Sequence, residues 1–277
     1  MHDLMPSLSL SEIWIYPIKS LGGISLQEAV ATRRGLQYDR RWMLVDEQGR
    51  FVSQREIPSM ALLGTSIAPP YLSVFWKGAP DKKINIPLEI NPDEHPKIQV
   101  EVWGDRCAAK VLPEAFNQWF SAHLGQNLRL VFMPDTTNRR TDGRYAPPGH
   151  NVSFADGFPY LVIGQASLDE LNNRLDQPLP INRFRPNFVF TGGQPFEEEA
   201  WQHFSIQKEP FQGVKPCGRC IIITTDQETA IRTAEPLKTL ASYRKKGNKI
   251  PFGQNVVWLG EGEPVIRVGD QIQRQAG

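Results

Sequence analysis

Two cysteines, Cys217 and Cys220, lie in the run Lys215-Pro216-Cys217-Gly218-Arg219-Cys220, followed by Ile221-Ile222-Ile223-Thr224-Thr225. Four chemistries fit such a pair. A redox dithiol usually puts its first cysteine at a helix N-terminus, where the dipole favours thiolate. Here the β-branched residues from Ile221 to Thr225 are expected to form a strand instead. A structural zinc site needs about four Cys or His ligands, and only Cys107 and five scattered histidines remain. Both thiols could simply be buried as small inert groups, the reading also favoured for Cys107. Finally, one thiolate could ligate a metal carried by an anionic cofactor, with Arg219 lowering the thiol pKa and pairing with a phosphate or oxo group. These residues alone leave all four open.

Three basic segments could serve an anion. Tyr16-Pro17-Ile18-Lys19-Ser20, ahead of Gly22-Gly23, reads as a strand ending in a phosphate cradle. It is not a Walker loop, since Ile18 stands where Gly must precede Lys. In Asp39-Arg40-Arg41-Trp42, adjacent strand side chains face opposite ways, so one Arg can meet a ligand while the other meets water. In Asn182-Arg183-Phe184-Arg185-Pro186-Asn187, the two Arg share a face if the chain is extended, and guanidinium binds phosphate bidentately. Structural ion pairs are the commoner fate of each Arg.

The elements that must position these residues read as mainly β with a few helices. Ile13 and Ile15 alternate with Trp14 and Tyr16. Hairpins are expected around Glu47-Gln48-Gly49 and Gly104-Asp105. In the first third no strand leads into an amphipathic helix, which argues against parallel βαβ units there. Further strands are expected at Leu128–Phe132, Phe188–Thr191, Ile221–Thr225, Val256–Leu259 and Val265–Val268. Helices are expected after Pro113-Glu114 with Gly125 as C-cap, from Ser167 with a Ser167/Glu170 capping box, and from Pro236 to about Lys246. The polar stretch Pro134–Ser153 reads as a long mobile loop. A boundary near residue 126 divides the chain into 1–126 and 127–277.

Lys+Arg number 31 against 30 Asp+Glu, a net charge of +1, which disfavours a nucleic-acid partner, the Arg-rich loop included. No segment reaches the roughly 18 apolar residues of a membrane span. Three cysteines and the lack of a secretory pattern in residues 1–20 point to the cytoplasm.

With these motifs in view, the chain resembles the MOSC family. YPIKS, DRRWMLVD and Ser53-Gln54-Arg55-Glu56 resemble the N-terminal β-barrel domain that precedes MOSC. NRFRPN, PCGRCIIITTD, Pro251-Phe252-Gly253-Gln254 and Val268-Gly269-Asp270 resemble MOSC itself. The resemblance is strongest to the amidoxime-reducing members, and covers nearly the whole chain. It implies a mainly β fold of two barrel-like parts that binds molybdenum cofactor and reduces small N-oxygenated substrates such as amidoximes and hydroxylamines. By motif match Cys220 is the molybdenum ligand, with Gly218 and Arg219 beside the cofactor. Lys19, Ser20 and Arg40 match groups holding the pterin phosphate. Arg185, Gly157 and Phe158 match further cofactor contacts, and Asn255 stands where a relative has Tyr. Electrons are expected from a separate flavoprotein, ferredoxin or cytochrome, because the four Cys of a plant-type cluster do not occur after Cys220. The competing implication is a sulfur or cofactor carrier with a persulfide on Cys217 or Cys220.

Overall fold

A computed structural model describes residues 7–275. The first six residues, part of the stretch read for a secretory pattern, lie outside it. The fold is mainly β, with eighteen strands and three α-helices among the described residues. The largest sheet has eight strands, in the order Ile272–Arg274, His203–Ile206, Glu209–Gly218, Pro251–Trp258, Tyr160–Gly164, Phe188–Thr191, Ser9–Ile15 and Ile24–Leu26. The N-terminal strand Ser9–Ile15 thus pairs with Phe188–Thr191 from far along the chain. A second sheet joins Trp42–Val45 to Arg129–Phe132, Asp105–Val111 and Lys97–Val102.

Alternation explains the core. Ile13 and Ile15 are buried together with Phe188, Phe190, Tyr160 and Phe211 under the large sheet. Leu44, Leu130 and Phe120 build a second core under the other sheet. Phe120 comes from α1 (Glu114–Leu124), which begins after Pro113 and ends at Gly125 in the left-handed conformation, as expected. The turn between Lys97–Val102 and Asp105–Val111 is two residues, Trp103 (φ 56) and Gly104 (φ 87), both positive as a type I′ hairpin demands. At Gly49 the turn also forms, but the returning arm pairs through isolated bridges, Phe51 opposite Val45 and Arg50 opposite Glu101, and not as a strand.

Five expectations need correction. First, Ile221–Thr224 is a 3-10 turn and not a strand. In a strand Ile221 and Ile223 would face the same way. Here Ile221 is 45% exposed while Ile223 is fully buried, and the Ile223 carbonyl accepts from Arg183 Nε at 3.0 Å instead of a neighbouring strand. Second, Arg183 and Arg185 do not share a face. Arg183 lies in a 3-10 turn, and Arg185 has φ 56. Arg183 turns to Asp226 and Arg185 to the Leu21 carbonyl. Third, the stretch Pro134–Ser153 lacks regular elements, but it is anchored. Arg139, 3% exposed, donates to the carbonyls of Ser153, Ala155 and Asp156 and to Asp105. The third helix, α3 (Leu237–Arg244), stops short of Lys246, which pairs with Lys249 in a turn.

The last correction is the capping box. α2 (Gln165–Asn172) starts two residues before Ser167 and has Gly164 as N-cap. Ser167 is buried and donates to the buried carboxylate of Glu198 at 2.9 and 3.0 Å, and Gly164 N–H reaches the same group at 3.2 Å. α2 is also the crossover of a parallel pair, Tyr160–Gly164 beside Phe188–Thr191, the βαβ unit of the second half. Burial pushes the Glu198 carboxyl up to about 7, against the hydrogen bonds it accepts. Between the ordinary carboxyl range and about pH 7 the native state therefore binds more protons than the unfolded one, so stability falls as pH rises through that window. Denaturant unfolding of the wild type and Glu198→Gln from acid to neutral pH is expected to show the wild type losing on the order of 2–3 kcal/mol relative to the variant. Parallel curves would refute it.

Candidate functional site

Lys19, Ser20, Arg40 and Arg185, expected from the sequence, converge on one cavity of about 100 Å³, together with Gly157, Phe158, Arg219 and Asn255. The fold brings them there from distant places. The strand Ser9–Ile15 runs out into Lys19 and Ser20. The turn before Trp42–Val45 carries Arg40, and the turn before Phe188–Thr191 carries Arg185. Ser20, Arg40 and Arg185 all have left-handed backbone, φ 69, 51 and 56. Such residues cost energy and survive where the surroundings over-determine them, often at functional sites.

Those surroundings are visible. Asp39, fully buried, accepts the Tyr16 N–H at 2.8 Å and both its oxygens accept from Arg40 Nη1 at 2.9 and 2.7 Å. Arg40 Nη2 donates to the Arg185 carbonyl at 3.1 Å, and Arg185 Nη1 to the Leu21 carbonyl at 2.8 Å. Both guanidinium groups lie on the Tyr16 ring, at 4.4 and 4.1 Å from its centroid. Lys19 Nζ donates to the Phe154 carbonyl at 2.8 Å and to Asp156 at 2.6 Å. Arg139 holds the same 153–156 segment from behind, so the anchored loop is part of how the site is built.

The charge balance is one-sided. Lys19, Arg40, Arg55, Arg185 and Arg219 line the cavity. Against them stand Asp156 and, behind Arg40, Asp39. Burial, then the neighbouring Arg40, pulls the Arg185 guanidinium down to about 10. Burial lowers Lys19 to about 8 although Asp156 opposes it. Two buried nitrogens, Arg185 Nη2 and Arg219 Nε, have no hydrogen-bond partner. Unpaired buried donors of positive charge in an excess of cations suit an anion with several acceptor oxygens.

The two thiols take different places. Cys217 lines the cavity and accepts from Arg219 Nη1 at 3.1 Å. It sits at a register shift between Pro216 and Gly218 in the pairing with Pro251–Trp258. Such a bulge re-aims side chains. Cys220 and Gly218 are not part of the lining. Cys220 Sγ accepts instead from Nη2 of Arg55, a lining residue, at 3.0 Å. Arg55 in turn lies 4.3 Å over Trp103, whose indole donates to Asp156 at 3.0 Å. Cys107 is buried among Met43, Val100 and Phe154, with its thiol pKa raised by burial.

Sequence reasoning missed Arg55, Asp156, Asn187 and the lining position of Cys217. Arg55 lay within a quoted motif and could have been weighed as a charge. Asp156 carried no local signal, since its partner Lys19 is 137 residues away. Cavities for drug-sized ligands are usually a few hundred Å³. At about 100 Å³ this one is smaller, so side chains that line it have to shift for a ligand of pterin size.

Residues 7–127 match the profile of the MOSC N-terminal beta barrel domain and residues 149–273 that of the MOSC domain. The chain is 34% identical to mitochondrial amidoxime-reducing component 1 of Mus musculus, over 95% of this chain and 81% of that protein. It is 31% identical to the Homo sapiens protein of the same name, over 95% and 82%. It is 30% identical to the molybdenum cofactor sulfurase of Arabidopsis thaliana, over 95% of this chain but 36% of that one.

Since Lys19 loses its charge near pH 8, anion binding here has a pH limit. Affinity for inorganic phosphate, measured by calorimetry, is expected to fall roughly fivefold to tenfold between about pH 7.5 and about 9.5, although phosphate itself only becomes more fully dianionic over that range. Lys19→Arg, which does not titrate in that range, should stay flat. A flat wild-type profile would remove Lys19 from the anion site.

Proposed function

The chain belongs to the MOSC-domain family, alongside the mitochondrial amidoxime-reducing components, and on that premise we propose that it is a molybdenum-cofactor-dependent reductase of small N-hydroxylated compounds. The observation that carries the proposal is the cation-rich cavity with two unpartnered guanidinium nitrogens, lined by Cys217 and flanked by Cys220. Those donors fit a phosphate-bearing cofactor. Lys19, Ser20 and Arg40 would hold the phosphate, Arg185, Arg219 and Asn255 the pterin, with Gly157 and Phe158 as its wall. Cys220 would supply the metal thiolate. When bound, the cofactor supplies two-electron reduction of an N–O bond.

The chain's own residues do the rest. Arg55 donates to the Cys220 sulfur and sets a guanidinium charge beside it. Arg219 does the same for Cys217 while its Nη2 is anchored on the Phe184 carbonyl. Arg55, a lining residue, is held over the Trp103 ring beside the cavity. Electrons come from a separate protein. Among the described residues no helix is long and apolar enough to cross a membrane. Three free thiols fit a reducing compartment, and we assign the protein to the cytoplasm.

A second reading, a persulfide carrier, is favoured by one observation: each of the two thiols is hydrogen-bonded by its own guanidinium. Metal analysis separates the two. Protein made in a host that synthesises the cofactor is expected to hold molybdenum near one per chain and to reduce benzamidoxime with reduced methyl viologen. Cys220→Ala should lose about 100-fold or more of that rate while unfolding as the wild type does. Molybdenum-free protein carrying an added sulfur by mass would establish the carrier instead.

A further inference from the structure

Outside the cavity, one strongly charged feature touches the thiol segment. Lys245, Lys246 and Lys249 are exposed. Their neighbour Arg244 is committed to Glu199, whereas these three form no ion pair among the described residues. They do not hang on a loose tail. Lys246 N–H donates to the Lys249 carbonyl at 2.8 Å and Lys249 N–H to the Lys246 carbonyl at 3.1 Å, with Gly247 at φ 59.

This turn is bonded to the segment between the thiols. The Ile250 carbonyl accepts Arg219 N–H at 2.8 Å, and Gly218 pairs with Pro251. The stem of Lys249 runs beside Gly218, where an added Cβ would meet three of its carbons at 3.9 Å. Pro216, Gly218 and Ile221 are exposed around the turn's base, while Cys217 between them lines the cavity. The surface bearing the lysines is therefore one residue from the interior of the site.

We propose that the Lys245–Lys249 turn, with Pro216, Gly218 and Ile221, docks a small electron-transfer protein with an acidic face. The proposal rests on the reductase reading and names its partner. A small apolar centre beside unpaired cations suits a transient, charge-steered complex, and weak redox complexes are small. Three lysines fall short of the 4–8 basic residues of a lipid-binding cluster. Each docking delivers one electron. Two reduced one-electron donors and two protons convert R–NHOH to R–NH2 and water, leaving two oxidised donors.

The probe is an acidic plant-type ferredoxin. With the cofactor-loaded protein, Lys245→Glu/Lys246→Glu/Lys249→Glu is expected to cut ferredoxin-driven reduction of benzamidoxime about tenfold or more. Reduction driven by methyl viologen should stay within about twofold, because no cavity residue is changed. Wild-type ferredoxin-driven rates should fall between about 20 and about 300 mM salt. Equal ferredoxin-driven rates in variant and wild type would overturn the proposal. Binding of oxidised ferredoxin, followed by NMR shifts, needs no turnover: its loss in the variant supports the docking surface even where methyl viologen drives no N–O reduction, a result that would sink the reductase reading alone. Capture on phosphatidylserine vesicles with ferredoxin binding unchanged would overturn the proposal in favour of a membrane surface.

Discussion

Like charges held close together without enough opposite charge are the constraint from which the site follows. Arg40 and Arg185 lie on one Tyr16 ring and repel each other there. What keeps them is mainly main chain. The carbonyls of Leu21, Phe154, Phe184 and Arg185 accept from the four cations Arg185, Lys19, Arg219 and Arg40. A carbonyl can do this only where the chain is not using it in a ladder or a helix. That is why the site sits on the turns at the ends of strands, and why left-handed residues recur in it. The backbone is bent so that its oxygens face inwards, and an anion completes what those oxygens begin.

Much of this was legible from residue types. Residue types flagged the basic segments around Lys19, Arg40/Arg41 and Arg183/Arg185, and only the match to the family's motifs singled out Lys19, Arg40 and Arg185 among them. The strands Ser9–Ile15 and Lys97–Val102 follow from alternation, and Phe188–Thr191 from a short apolar run of β-forming residues buried on both faces. The failures have one physical origin, that a partner far away in sequence takes over a local preference. Ile221–Thr225 has every local reason to be a strand, yet Arg183 claims a carbonyl, and Ile222 and Ile223 both turn to the core while Ile221 stays exposed. Ser167 has the spacing of a cap, yet the buried Glu198, 31 residues later, takes its hydroxyl. Extended geometry was expected for Arg183 and Arg185, but Arg183 lies in a 3-10 turn and Arg185 is itself left-handed. Left-handed backbone at a non-glycine residue leaves no mark in the sequence.

The site also depends on segments from both ends of the chain. Ser9–Ile15 completes the large sheet beside Phe188–Thr191. Gln54, fully buried, donates to the Ser20 carbonyl and exchanges hydrogen bonds with Gln227 at 3.2 and 3.0 Å. Arg232 donates to the carbonyls of Gln54 and Arg55. The loop that delivers Arg55 to Cys220 is thus fixed by residues that follow the cysteines. A buried amide pair of this kind is costly when half satisfied, so it locks the register between the two halves as well as joining them.

The same bulge that turns Cys217 inward has a consequence on its other side. A regular strand would alternate Pro216, Cys217 and Gly218 across the sheet with no change of register. The shift between Pro216 and Gly218 leaves Cys217 unpaired against Pro251–Trp258 and frees it to face the cavity. Gly218, without a side chain, leaves room along the exposed chain for the Lys249 stem. Interior chemistry and exterior charge are therefore set by three consecutive residues. A side chain at Gly218 would add ordinary contact with that stem, its Cβ 3.9 Å from three of the stem's carbons. The chain's most reactive segment and its most basic turn are coupled by backbone hydrogen bonds, and neither can shift without the other.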